Sequence, residues 1–172
     1  MKRILFIALL LCGFAWASLV IAQSTRTGNP TTVNGHVAFM GISLTESPTS
    51  FKQKLRAKGF KVLEEYDGNV TMTGQVNGIP SRIFISKNEV WVTDLKSYRH
   101  PQAKTRYQQL VKKMEAIYGK GTPDEGNDDY MAHHTFKVGT GEVGVNMYNE
   151  DEMDGASDYY VVDTRYVDNP QY

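Results

Sequence analysis

The residues best suited to chemistry lie in the last third of the chain. His133 and His134 are adjacent, with Asp128 and Asp129 just before them. Imidazole beside carboxylate is the raw material of a zinc site or an acid–base pair. On a strand, consecutive side chains point to opposite faces, so the two histidines cannot share a metal without distortion. One of them could instead join a carboxylate and the distant His36 or His100; the ordinary expectation is one histidine in the core and one on the surface.

Other candidate signatures dissolve on inspection. Gly139, Gly141 and Gly144 spell G-x-G-x-x-G, which holds a pyrophosphate only where it opens a helix. Here the residues from Val143 to Tyr148 alternate like a strand, so the glycines read as hairpin glycines. Glu150 to Gly155 resembles a calcium loop, but Val161 stands where the twelfth-position glutamate is needed. An acidic turn is the simpler reading.

None of Ser43, Ser47, Ser50, Ser81, Ser86, Ser97 and Ser157 sits in a G-x-S-x-G elbow or an S-x-x-K arrangement, and there is no P-loop. Trp91, Tyr98, Tyr159, Tyr160 and Tyr166 have the character of a ligand platform, though core and cross-strand pairing explain them more simply. The sequence therefore assigns no catalytic residue, no metal ligand and no cofactor, and leaves the ligand-binding residues unspecified.

The elements that would position these residues form an α+β pattern. Residues 36–42 read as a strand. A helix follows, with Ser47 as cap, Pro48 in its first turn, Phe51 and Leu55 as its buried stripe and Gly59 as its exit. Asp67-Gly68 and Asn77-Gly78 are two-residue hairpin signals. Between them Val70, Met72 and Val76 face one way, and Thr71, Thr73 and Gln75 the other.

Ile83-Phe84-Ile85 and Val90-Trp91-Val92 carry apolar residues on both faces, as central strands do. A second helix has Tyr107, Leu110, Val111, Met114, Ile117 and Tyr118 at helical spacing and closes at Gly119. Acidic loops at 121–129 and 150–158 separate strands at 131–138, 143–148 and 159–167. The expected fold is a mainly antiparallel sheet with two helices packed on one face. Helix followed by meander occurs twice, which leaves a tandem duplication open.

Composition and the N-terminus bound the function class. Lys2 and Arg3, an apolar run from Ile4 to Leu11, and small-residue exits at Ala17 and Ala22 have the layout of a signal peptide over residues 1–22. The product is expected to be exported, periplasmic or secreted, with a flexible lead segment at 23–34 and one domain at 35–172. No integral membrane span is expected in the mature chain. The one cysteine, Cys12, lies inside the leader, with Leu11 where a lipoprotein signal wants a small residue, so lipid anchoring is not favoured. Disulfides and thiolate chemistry are then excluded from the mature chain.

Residues 23–120 carry a net charge of +8 and residues 121–172 a net charge of −10. Such halves either attract one another or present two faces to partners. The basic residues form no compact run with interleaved aromatics, so a nucleic-acid partner is not expected.

Several stretches together resemble a group of uncharacterised small secreted proteins of Bacteroidales-type bacteria. They are Phe39-Met40-Gly41-Ile42, Phe51-Lys52-Gln53-Lys54-Leu55, Lys58-Gly59-Phe60, Tyr118-Gly119-Lys120, Thr135-Phe136-Lys137, Gly141-Glu142-Val143 and Arg165-Tyr166-Val167-Asp168. The resemblance implies a cell-envelope location and a one-domain α+β fold, and it transfers no catalytic residue.

The function expected from the sequence is a non-enzymatic envelope or secreted module that binds a protein or polymer through its sheet or its charged loops. The alternatives are a hydrolase of an envelope or gut-derived polymer using carboxylates of the two acidic loops, and an inhibitor of extracellular enzymes.

Overall fold

The computed structural model describes residues 31–124, 132–149 and 158–169. The leader with Cys12, and the acidic stretch from Glu150 to Gly155, lie outside the described residues. The described part is mostly antiparallel β-sheet with two helices.

Three short strands come first: β1 (Thr32–Val33), β2 (His36–Phe39) and β3 (Ile42–Ser43). They form a small sheet through two tight turns, Asn34-Gly35 and Met40-Gly41, all four residues at positive φ. Two expectations are corrected here. The strand expected at 36–42 is broken at Met40-Gly41 into a hairpin, and β1 lies inside the segment expected to be a flexible lead. The cause is turn chemistry, because Asn and Gly tolerate left-handed backbone and fold a two-residue turn on the spot.

Helix α1 (Pro48–Ala57) starts as expected, with the Ser47 hydroxyl accepting from the Ser50 N–H at 3.3 Å. A meander follows: β4 (Lys61–Tyr66), β5 (Asn69–Val76), β6 (Ile79–Ser86) and β7 (Glu89–Asp94). Asp67-Gly68, Asn77-Gly78 and Lys87-Asn88 make its turns. After the two-residue β8 (Tyr98–Arg99), helix α2 (His100–Tyr118) ends at Gly119, whose φ is 86°.

A second set of strands completes the chain: β9 (Thr122–Asp124), β10 (Ala132–Val138), β11 (Gly141–Asn149) and β12 (Tyr159–Asp168). β9 corrects the expectation of a loop over that stretch. It is an edge strand, where Pro123 costs no ladder bond.

The large sheet runs β4-β5-β6-β7-β12-β11-β10-β9, with β8 also on β12. Its register sets one row across six strands: Val70, Ile85, Val90, Tyr166, Val143 and Phe136, all buried. Helix α1 packs on β4 to β6 and α2 on β10 to β12, while β2 sits on β11 and β12 between them. Phe51 and Leu55 of α1, Leu110 and Met114 of α2, and Val37 and Phe39 of β2 share one core with that row.

Two buried carboxylates tie the layers together. Asp94 on β7 accepts from Arg106 of α2 (Nε to Oδ2, 2.7 Å; Nη2 to Oδ1, 3.2 Å) and from the Tyr98 hydroxyl (2.8 Å). Burial, reinforced by Asp94, pushes Tyr98 up to about 12. Asp168 on β12 accepts from the Val37 N–H (2.9 Å) and the Thr140 hydroxyl (2.5 Å) and meets His36 Nδ1 at 2.9 Å. These contacts hold the small sheet against the large one.

Among the described residues, the ion pairs lie mostly within one half of the chain: Lys52–Glu65, Lys54–Glu46, Arg106–Asp94 and Lys137–Glu142. Two contacts cross between the halves: Arg165–Glu89, with its signs opposite to the bulk charge of each half, and His36–Asp168, which follows the bulk charges when the imidazole is protonated.

Gly74 makes room for a core aromatic. A Cβ there would stand 2.3 Å from Cδ1 of the buried Phe60 ring. Gly74→Ala is expected to destabilise the fold by about 1–3 kcal/mol through overpacking. Urea unfolding of the two chains checks it, and equal midpoints would contradict this account of how Phe60 packs on β5.

Candidate functional site

Helices and small sheet cover one face of the large sheet, and the opposite face carries the unusual side chains. Register places Thr71, Phe84, Trp91, Arg165, Gly144, Thr135 and Thr122 in one row there. The segments around Phe84 and Trp91 are the central strands expected, β6 and β7 lying inside the large sheet. Phe84 and Trp91 alternate with the core residues Ile83, Ile85, Val90 and Val92, and Phe84 is 38% exposed.

At the centre of this face the Arg165 guanidinium lies 5.1 Å from the Trp91 ring centroid, a cation–π contact between directly opposed residues. Glu89 Oε1 accepts from Trp91 Nε1 (2.7 Å) and from Arg165 Nε (2.5 Å). One carboxylate thus orients both members of the stack.

The next row holds Thr73, Arg82, Thr93, Asp163, Asn146, His133 and Asp124. A chain of hydrogen bonds runs through its last third. The Asn146 amide donates to Asp163 Oδ1 at 2.6 Å, and its oxygen meets His133 Nδ1. His133 Nε2 stands 2.8 Å from the Thr135 hydroxyl. Asp163 and Asn146 are each 1% exposed.

Gly144 matters to this arrangement, since a Cβ there would come within 3.0 Å of His133 Cε1. The imidazole leans over a residue that has no side chain. Beside it lies a groove of about 640 Å³, lined by His133, Thr135, Lys120, Thr122 and Asp124 among others.

His134 faces the other way. It stacks on Phe136 at 4.9 Å beneath Gly121, and its buried Nε2 has no hydrogen-bond partner. The two histidines are therefore split between the faces. His36 is bonded to Asp168 and His100 packs on Tyr160, so neither joins His133. No cluster of three or more metal-ligating side chains occurs among the described residues.

The five aromatics do not form one platform. Tyr166 packs on Phe39 in the core, Tyr98 is buried on Asp94, Tyr160 meets His100 edge-on, Tyr159 is 46% exposed, and Trp91 pairs with Arg165. The G-x-G-x-x-G glycines belong to the β10–β11 hairpin, with Gly139-Thr140 as its turn. Sequence reasoning missed Thr135 and Asn146 as partners of His133. The usable signal was the alternation that puts Thr135 and His133 on one face, and the hairpin register that sets Asn146 opposite His133.

Burial pushes the Asp163 carboxyl up to about 6, against the opposing pull of its hydrogen bond from Asn146. Its ordinary value is 3.8, so the folded protein takes up this proton before the unfolded chain does. Stability therefore falls as pH rises from about 4 to about 6, and the cost is complete above that window. Asp163→Asn removes the cost. Urea unfolding near pH 7.5 should find the variant more stable by roughly 2 kcal/mol, with the gain gone near pH 3.5; a gain that ignores pH contradicts the assignment. No protein-family model, curated protein or solved structure matches this chain, so any functional reading rests on this geometry and on the sequence.

Proposed function

We propose that the protein is an exported, envelope-associated binding module that engages a protein partner through the sheet face opposite its two described helices. The observation that carries the reading is the oriented Trp91–Arg165–Glu89 group, with the exposed Phe84 directly opposite Trp91. Tryptophan and arginine dominate the energetics of protein interfaces, and a stack already held by a carboxylate loses little freedom on binding. The polar neighbours Thr71, Thr73 and Arg82 supply a rim.

Two further features support it. The basic, apolar and small-residue segments of residues 1–22 support export, as does the resemblance to small secreted Bacteroidales-type proteins. The strand order supports a tandem duplication: each helix precedes four strands, and the two meanders meet at their last strands, β7 and β12. Two such units side by side double the width of the face opposite the described helices.

An inhibitor of an extracellular enzyme would use the same surface, and the identity of the partner decides between the two. The polymer-hydrolase alternative draws on carboxylates of the loops at 121–129 and 150–158, of which Asp124 and Asp158 are described and the others lie outside the described residues.

The test is recovery of a companion from envelope extract by the tagged full chain. Phe84→Ala combined with Trp91→Ala is expected to cut that recovery at least tenfold, with the melting temperature moved by only a few degrees. Equal recovery by the double variant, or no stoichiometric companion at all, would overturn the reading.

A further inference from the structure

We propose that Thr135 is a nucleophile for acyl transfer, with His133 as its general base and Asn146 as the residue that positions the imidazole. This activity is independent of the docking surface proposed above.

The argument starts at the buried end of the hydrogen-bond chain. An ionised carboxylate only accepts, so Asp163 Oδ1 must receive the Asn146 amide N–H. The amide oxygen of Asn146 is thereby turned to His133 and can only accept, which places the imidazole proton on Nδ1. The lone pair of neutral His133 is then on Nε2, 2.8 Å from the Thr135 hydroxyl, which donates to it. The direction of every bond follows from the one before it, and the base ends up aimed at a hydroxyl.

Hydroxyl, base and an amide that fixes the tautomer are the parts that nucleophilic catalysis requires. Their setting fits as well. Thr135 is half-buried and lines the 640 Å³ groove, within the range of small-ligand sites, and Lys120 is among the residues lining the same groove.

The substrate class is a small acyl ester. Thr135 Oγ1 forms a bond to the acyl carbon as its proton passes to His133 Nε2. The carbon–alkoxide bond then breaks, and the alcohol leaves with that proton. Water, deprotonated by His133, attacks the acyl-threonine, releasing the acid and restoring the hydroxyl. Ester and water are consumed, and acid and alcohol are formed.

The experiment uses the full chain with p-nitrophenyl acetate, and a fluorophosphonate probe located by peptide mass mapping. The expected result is a single adduct on Thr135, and turnover that falls at least a hundredfold in His133→Gln and in Thr135→Val. Thr135→Ser keeps both adduct and turnover, which guards against a folding defect in the valine variant. Asn146→Ala lowers kcat about tenfold with KM within twofold, as a positioning role requires. Absence of an adduct on Thr135, an adduct on another residue, or equal labelling in His133→Gln would overturn the proposal.

Discussion

The ladder between β7 and β12 is the constraint on which the rest of the molecule depends. It is the sole seam between the two meanders within the large sheet's strand path, running from Thr93 opposite Asp163 to Glu89 opposite Val167. A slip of one residue there would send every side chain of one meander to the wrong face. The row from Val70 to Phe136 would be cut in half, and Trp91 would no longer face Arg165. The core on one side and the aromatic–arginine stack on the other are thus two readings of one register. Glu89, at the end of this ladder, bonds to both Trp91 and Arg165 and so rewards the correct pairing on the solvent face as Val90 and Tyr166 reward it in the core.

Polar groups do the joining where apolar packing alone would be indifferent to direction. Asp94 is met by Arg106 in a two-point fork and by Tyr98, so α2 has one angle at which its charge is satisfied. Asp168 plays the same part for the small sheet, whose two-residue strands could not hold a position by themselves. A buried carboxylate with all its donors in place specifies geometry more sharply than it adds stability, because its desolvation offsets much of the attraction.

Much of the fold was legible because its turns are chemically explicit. Asp67-Gly68, Asn77-Gly78 and Ser47-Pro48 mark element ends without any tertiary information. β1, β3 and β9 were not legible, since two or three residues carry no periodicity and their pairing comes from neighbours distant in sequence. Apolar residues on both sides marked β6 and β7 as interior strands, while Phe84 and Trp91 themselves stand on the face opposite the core, because aromatics suit a part-exposed sheet face as well as a core. Of the polar chain, the link from His133 to Asn146 follows from the tight Gly139-Thr140 turn. The link to Asp163 does not, because residues 150–157 separate β11 from β12 and no short turn sets that register.

Asp163 and Asp168 show how local donor supply, and not burial, decides what a carboxylate does. They lie five residues apart on β12, and each is 1% exposed. Burial raises both. At Asp168 the Thr140 hydroxyl, the Val37 N–H and His36 outweigh it and hold the group below the usual carboxylate range. At Asp163 the hydrogen bonds from Asn146 and Tyr148 pull the same way, but burial outweighs them. The first group is therefore fixed in one charge state and suits a joint. The second is left close to its switching point, and when it is ionised it sets the direction of every hydrogen bond out to Thr135. An aspartate whose burial outweighs its hydrogen bonds, at the root of a directed polar chain, is hard to account for by packing, since an asparagine of the same shape would cost the fold less.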